Sequence, residues 1–243
     1  MSGPGFRARL GFLLPPGNPT IEPELMALVP PGVSLHFHRM VARGVTGSLD
    51  GQEERNRMMI DHLDQSVEVL GMVKPDVIVV AHTATSYTLG IEGEKALLKR
   101  LSEASGRRVV TAFGAVAAAL RKLEVERVAL GAPYSAETTA EGKAHLEANR
   151  FRVVSHDNLK GVTNIYDETA ERAYGLARSV DRPEAQAVFL SGTGMPTLAV
   201  LEMLETDLGK PVISSNLAMM WHALRLVGVG EKIAGYGRLL TLD

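Results

Sequence analysis

The feature that most constrains the fold is an alternation of short apolar runs with longer amphipathic ones. Residues 77–81 read Val-Ile-Val-Val-Ala with no polar interruption, and 187–190 read Ala-Val-Phe-Leu. Runs this short and wholly apolar are strands buried on both faces. Strands are predicted over 9–14, 33–43, 76–81, 108–111, 127–131, 151–155, 187–191 and 211–214. Helices are predicted over 53–71, 92–104, 115–123, 136–149, 167–180, 196–208 and 218–227. The 53–71 helix rests on the helical spacing of Met58, Met59, Leu63, Val67 and Leu70. Strands alternating with helices imply parallel sheets covered by helices, an α/β fold.

The chain also repeats itself. Gly-Arg-Arg-Val-Val-Thr (106–111) matches Gly-Lys-Pro-Val-Ile-Ser (209–214), and each is followed by a helix containing Ala-Leu-Arg, at 119–121 and 223–225. Residues 77–83 match 187–193, and 9–15 match 127–133. Matches in the same order predict two similar parallel-sheet α/β lobes related by a pseudo-twofold axis. The expected division is 1–112 plus 217–243 for the first lobe and 113–216 for the second. In open α/β sheets ligands bind beyond the carboxyl ends of strands, so the active site is expected in the cleft between the lobes.

Composition narrows the partners. A net charge of −2 and no block of Lys or Arg argue against nucleic acid or an anionic membrane. The first ten residues carry two arginines and no long apolar run, so neither a signal peptide nor an anchor is expected, and a cytoplasmic location is the default. There is no cysteine, which excludes thiolate metal sites and thiol chemistry. Walker-type, Gly-x-Gly-x-x-Gly and Gly-x-Ser-x-Gly sequences in the required context are absent, so no nucleotide cofactor or hydrolase elbow is implied.

The residues after each predicted strand carry the candidate chemistry. His82-Thr83-Ala84-Thr85-Ser86 offers an imidazole, three hydroxyls and backbone N–H groups, a set suited to a carboxylate or oxyanion. Capping a helix is the competing role for Thr85 and Ser86. Gly192-Thr193-Gly194 permits close backbone approach and supplies one hydroxyl, or is simply a turning loop. Pro15-Pro16-Gly17-Asn18 places an amide in a rigid loop, Tyr134 brings a phenol, and Asn216 is either a ligand or a helix cap. His36 and His38 share one strand face but have no third ligand, so no metal site is expected. His62, His145 and His222 are expected on helices in packing roles, and 156–158 as a loop.

These loops, in this order, resemble the maleate isomerase and arylmalonate decarboxylase branch of the aspartate/glutamate racemase superfamily. The likeness covers the Pro-Pro-Gly-Asn-Pro-Thr loop at 15–20 and segments 76–90, 131–137, 190–211, 214–221 and 235–239. It implies cofactor-independent chemistry on a small carboxylic diacid held between two lobes, with a cysteine from each flanking it. Carried over by position, the cysteine sites are His82 and Gly192. The resemblance makes His82, Thr83 and Tyr134 catalytic. It makes Ser86 a partner of carboxylate or enediolate oxygens and has Asn18, Thr193 and Asn216 hold a carboxylate; from their places after the strands, Pro15, Thr85, Gly192 and Gly194 are expected to bind substrate as well.

With both cysteines missing, two-thiol racemisation and a cysteine adduct are excluded. One titratable group remains, on one face. Histidine's ordinary pKa near 6.5 suits proton transfer. The leading expectation is a decarboxylase-like lyase in which His82 delivers a proton from one side. A cis-trans or proton-shift isomerase and a carboxylate-binding pseudo-enzyme are the alternatives. A small carboxylic acid is the expected partner, and a homo-oligomer formed through apolar helices is left open.

Overall fold

A computed structural model describes residues 3–242. The first half runs β1 (Ala8–Leu14), α1 (Ile21–Ala27), β2 (Val33–Arg39), α2 (Gln52–Asp61), α3 (Leu63–Gly71), β3 (Val77–Val80), α4 (Thr83–Ser105) and β4 (Arg108–Thr111). The second half runs α5 (Ala112–Lys122), β5 (Arg127–Ala132), α6 (Ala136–Ala148), β6 (Arg152–Asn158), α7 (Ala170–Val180), β7 (Ala187–Leu190), α8 (Leu201–Leu208), β8 (Val212–Ser214) and α9 (Ser215–Leu226). The strands form two four-stranded sheets, ordered β2-β1-β3-β4 and β6-β5-β7-β8, and every pairing is parallel. Adding four to each strand number of the first sheet gives the second, which is the repeat read in the sequence. Two similar α/β lobes are therefore present.

The all-apolar runs are the central strands: every residue of β3 and β7 is buried. Helices on both faces supply the apolar cover such strands need. β2 and β6 are edge strands and only partly buried. Between the lobes, α5 packs against α9, the two helices that follow β4 and β8. Each begins with a matching cap: the Thr111 side chain accepts from the Gly114 N–H, and that of Ser214 from the Leu217 N–H.

Several boundaries differ from the predicted ones. The 53–71 helix is two helices, because the chain leaves helical geometry at His62, whose Nδ1 bonds the Met58 carbonyl at 2.8 Å. Helix α1 was not predicted; it is short and carries Pro23 in its first turn, where the missing N–H costs nothing. β2 stops at Arg39 rather than at 43. β6 continues through the 156–158 segment that was expected to be a loop. Helix α4 begins at Thr83, directly after β3, and kinks at Gly90; only its second part had been predicted. Helix α7 begins at Ala170, where Thr169 caps it, rather than at 167.

Candidate active site between the lobes

The loops after the central strands of both lobes meet. The Thr83 hydroxyl donates to Ser215 Oγ at 2.9 Å, and Tyr87 and Ser191 hydroxyls pair at 2.8 Å. Asn18 Nδ2 donates to Thr193 Oγ1 at 3.2 Å, and the Thr193 hydroxyl donates to the Ala81 carbonyl at 3.3 Å. Each of these bonds joins residues more than a hundred positions apart, so they lock the two strand-end clusters face to face.

His82 stands at the junction of β3 and α4 in extended backbone geometry, and makes no side-chain cap to the helix. Unlike those of α5 and α9, the first N–H groups of α4 receive no capping side chain, which leaves the positive end of the helix available to an anion. Nδ1 of His82 pairs with Thr85 Oγ1 at 3.0 Å. Nε2 has no hydrogen-bonding partner among the described residues. When Nδ1–H donates to Thr85, Nε2 carries the lone pair; in the other tautomer Nε2 carries the hydrogen. Burial alone lowers the His82 pKa from 6.5 to about 4, because water no longer stabilises the imidazolium. The ring is therefore neutral near pH 7.

His82 lines a cavity of about 30 Å³, roughly the space of one water molecule. Pro15, Thr46, Ser48, Gln52, Arg55 and Tyr166 are among its other walls. The 46–48 loop belongs to the first half of the chain and 164–166 to the second, and the two are latched. Ser48 and Asn164 form an antiparallel bridge, the Ile165 N–H donates to the Gly47 carbonyl at 2.8 Å, and Asn164 Nδ2 donates to the Thr46 carbonyl at 3.3 Å.

In the second lobe, Gly192 adopts φ +98°, and a Cβ there would stand 3.1 Å from the Pro133 ring and 3.2 Å from the Tyr134 hydroxyl oxygen. The Tyr134 hydroxyl lies beside the Ser191 and Thr83 hydroxyls, which favour its ionised form. Burial, aided by the neighbouring tyrosines, drives its pKa far above the usual phenol value, so it stays protonated as a donor. Gly194 packs so close to Tyr166 that a Cβ would lie 2.7 Å from the ring.

The predicted residues divide by role. Pro15 and His82 line the cavity. Thr83, Tyr134 and Gly192 gather beside Ser191. Asn18, Thr193, Gly194 and Asn216 form a cross-lobe network. Thr85 holds the His82 ring, and so acts through it. The Ser86 hydroxyl donates to Glu94 Oε1 at 2.7 Å, away from the cavity and within a buried cluster that includes Thr111 and His145. Neither Thr85 nor Ser86 caps α4. Asn216 is not a cap either, since Ser214 fills that position; its Nδ2 donates to Glu24 at 2.7 Å and to the Thr193 carbonyl at 3.2 Å.

Sequence reasoning missed Glu24, Arg55 and Tyr166. Glu24 accepts from the N–H groups of Thr197 and Leu198 at 2.6 and 2.8 Å, and burial raises its pKa against those bonds. It lies on the unpredicted helix α1. Arg55 lies on α2 and Tyr166 in the loop before α7, both well beyond the ends of β2 and β6, so a rule that looks just after each strand did not reach them.

A bilobal parallel α/β protein with a polar cleft between two alike lobes is the class that this fold and site define. More narrowly, the chain belongs to the arylmalonate decarboxylase family, whose model matches residues 10–240. It is 29% identical to a maleate isomerase from Nocardia farcinica, over 97% of this chain and 96% of that one. It is 30% identical to an arylmalonate decarboxylase from Bordetella bronchiseptica, over 95% of each. Among solved structures, a Nocardia farcinica maleate cis-trans isomerase with a covalently bound succinylcysteine intermediate superposes with a TM-score of 0.88 at 28% identity, covering 97% of this chain and 99% of that one. No cysteine is present here to form such an intermediate.

Proposed function

We propose that the chain is a cofactor-independent enzyme that takes a small carboxylic diacid through an enediolate, with His82 moving the proton on one face only. The observation that supports this best is the state of His82: a neutral imidazole, anchored through Nδ1 by Thr85, on a cavity at the lobe junction. Thr83, the protonated Tyr134 hydroxyl and the uncapped N-terminus of α4 would stabilise enediolate oxygens. Pro15, Asn18, Thr193, Gly194 and Asn216 would shape and hold the carboxylate loops, with Gly192 leaving room beside Tyr134. The cavity is small, so entry of an acid requires the 46–48 and 164–166 segments to part.

For an arylmalonate-like acid the reaction is a decarboxylation. The bond to the departing carboxylate breaks and its electron pair stays on the α carbon, delocalised into the remaining carboxylate. An arriving dianion favours the imidazolium, so His82 takes up a solvent proton on binding and gives it to that carbon. The neutrality of His82 in the free protein favours a second reading, a proton-shift isomerase. There the imidazole removes an α proton first, and returns it at another carbon.

Incubation of malonates and of an unsaturated diacid carrying an allylic α proton, in deuterium oxide, separates these. Carbon dioxide release with one deuterium gained at the α carbon is the expected result for the lyase. Deuterium entry without carbon dioxide marks the isomerase. Tight binding with no turnover of any acid in the panel would overturn both and leave a carboxylate-binding protein; full turnover by His82→Asn would overturn the role given to His82 in either reaction.

A further inference from the structure

The His82 cavity has one lining residue with a permanent charge, Arg55 in the first turn of α2. It is half-buried, and none of the described carboxylates pairs with it. Its Nη1 donates to the Asp50 carbonyl at 2.6 Å and its Nη2 to the Ser48 carbonyl. Those two bonds use two of the five N–H groups of a guanidinium and leave its charge unneutralised. The remaining polar lining is neutral: Thr46, Ser48, Gln52, Asn56 and Tyr166. A partly desolvated guanidinium without an anion is a costly arrangement, and a planar fork fits a carboxylate in bidentate geometry. The Arg55 charge, with that of Arg39, favours the Tyr166 phenolate, though burial dominates and holds that hydroxyl at a pKa of about 12. Its field therefore reaches the cavity wall.

We infer that Arg55 is the specificity-determining residue of this cleft: it receives the second carboxylate of a two-headed acid whose reacting end lies at His82. The inference rests on the reading of the cleft as a carboxylate-processing site. Substrates are then dianions, and single acids of the same length bind poorly. Because Arg55 also holds Ser48, whose backbone bridges to Asn164, the residue that reads the distal carboxylate is tied to the loop that covers it.

Calorimetry of malonate and succinate, each against its monomethyl ester, tests this on the unaltered protein. The diacid is expected to bind about 10- to 100-fold tighter, the range for one charge-assisted contact. Arg55→Met should abolish that preference while changing ester binding less than about threefold, and Arg55→Lys should restore part of it. Equal binding of diacid and ester to the unaltered protein overturns the assignment with no variant needed. A parallel loss of diacid and ester in Arg55→Met also overturns it, since a residue that only braces the 48–50 loop would weaken both alike. Failure of every acid and ester to bind the unaltered protein overturns the catalytic reading of the cleft together with this one.

Discussion

On the proposed function, the protonation state of His82 sets what the site can do before substrate arrives. A pKa of about 4 against 6.5 for an exposed imidazole means that the unfolded chain binds a proton more readily than the folded one between those values. Stability therefore rises with pH through that window: it is fully present above about pH 6.5 and is lost as pH falls toward 4, by at most about 3 kcal/mol. His82→Gln should flatten the urea midpoint of unfolding between pH 6.5 and 4, and an unchanged slope would show that the imidazole is not buried in its neutral form. Gly192 is the second residue whose identity matters. Its φ of +98° and the crowding by Pro133 and Tyr134 predict that Gly192→Ala costs about 1–3 kcal/mol, measurable by denaturant unfolding. The cysteine that the resemblance places at this position in relatives could not be installed here without strain.

At the scale of elements, two devices join the halves. The first is the latch of the 46–48 loop on 164–166. Gly47 has φ +83°, and a Cβ there would fall 1.8 Å from Asn164 Oδ1. Gly47→Ala should break the bridge and speed hydrogen exchange at the Ile165 amide by at least about tenfold, whereas amides of the buried strands β3 and β7 should be unaffected. The second is the cluster in which Glu94 of α4 accepts from Thr111, Ser86 and His145 of α6, the last at 3.0 Å. Burial pushes the Glu94 pKa up, but these hydrogen bonds and the His145 charge outweigh it and hold it below 4.5. A depressed carboxylate stabilises the fold above its unfolded pKa, and that share is lost as pH falls below about 4.5. Glu94→Ala leaves the buried His145 without its partner and should cost about 3 kcal/mol by denaturant unfolding.

On the scale of the whole molecule, the pairing of lobes is what the sequence made legible. The matches of 77–83 with 187–193 and of 106–111 with 209–214 correspond to β3 with β7 and β4 with β8, because a strand buried on both faces leaves a contiguous apolar mark. The strand-end rule then found Pro15 and His82 on the cavity wall, and Thr83, Tyr134 and Asn216 in the cross-lobe contacts. It misjudged Ser86, since a hydroxyl on the first turn of a helix has two directions open to it and only the packed Glu94 fixes which one it takes. Arg55 was illegible for a related reason: α2 alone gives no sign of facing the cleft, and only the β2–α2 path through the 46–50 loop brings it there. Lobe pairing and His82 together make one central claim, proton delivery from a single face. The most direct test is turnover, in deuterium oxide, of a malonate carrying two different α substituents, with chiral analysis of the product. One enantiomer bearing one α deuterium, lost with His82→Asn, is the predicted result. A racemic product, or unchanged turnover by the variant, would contradict it.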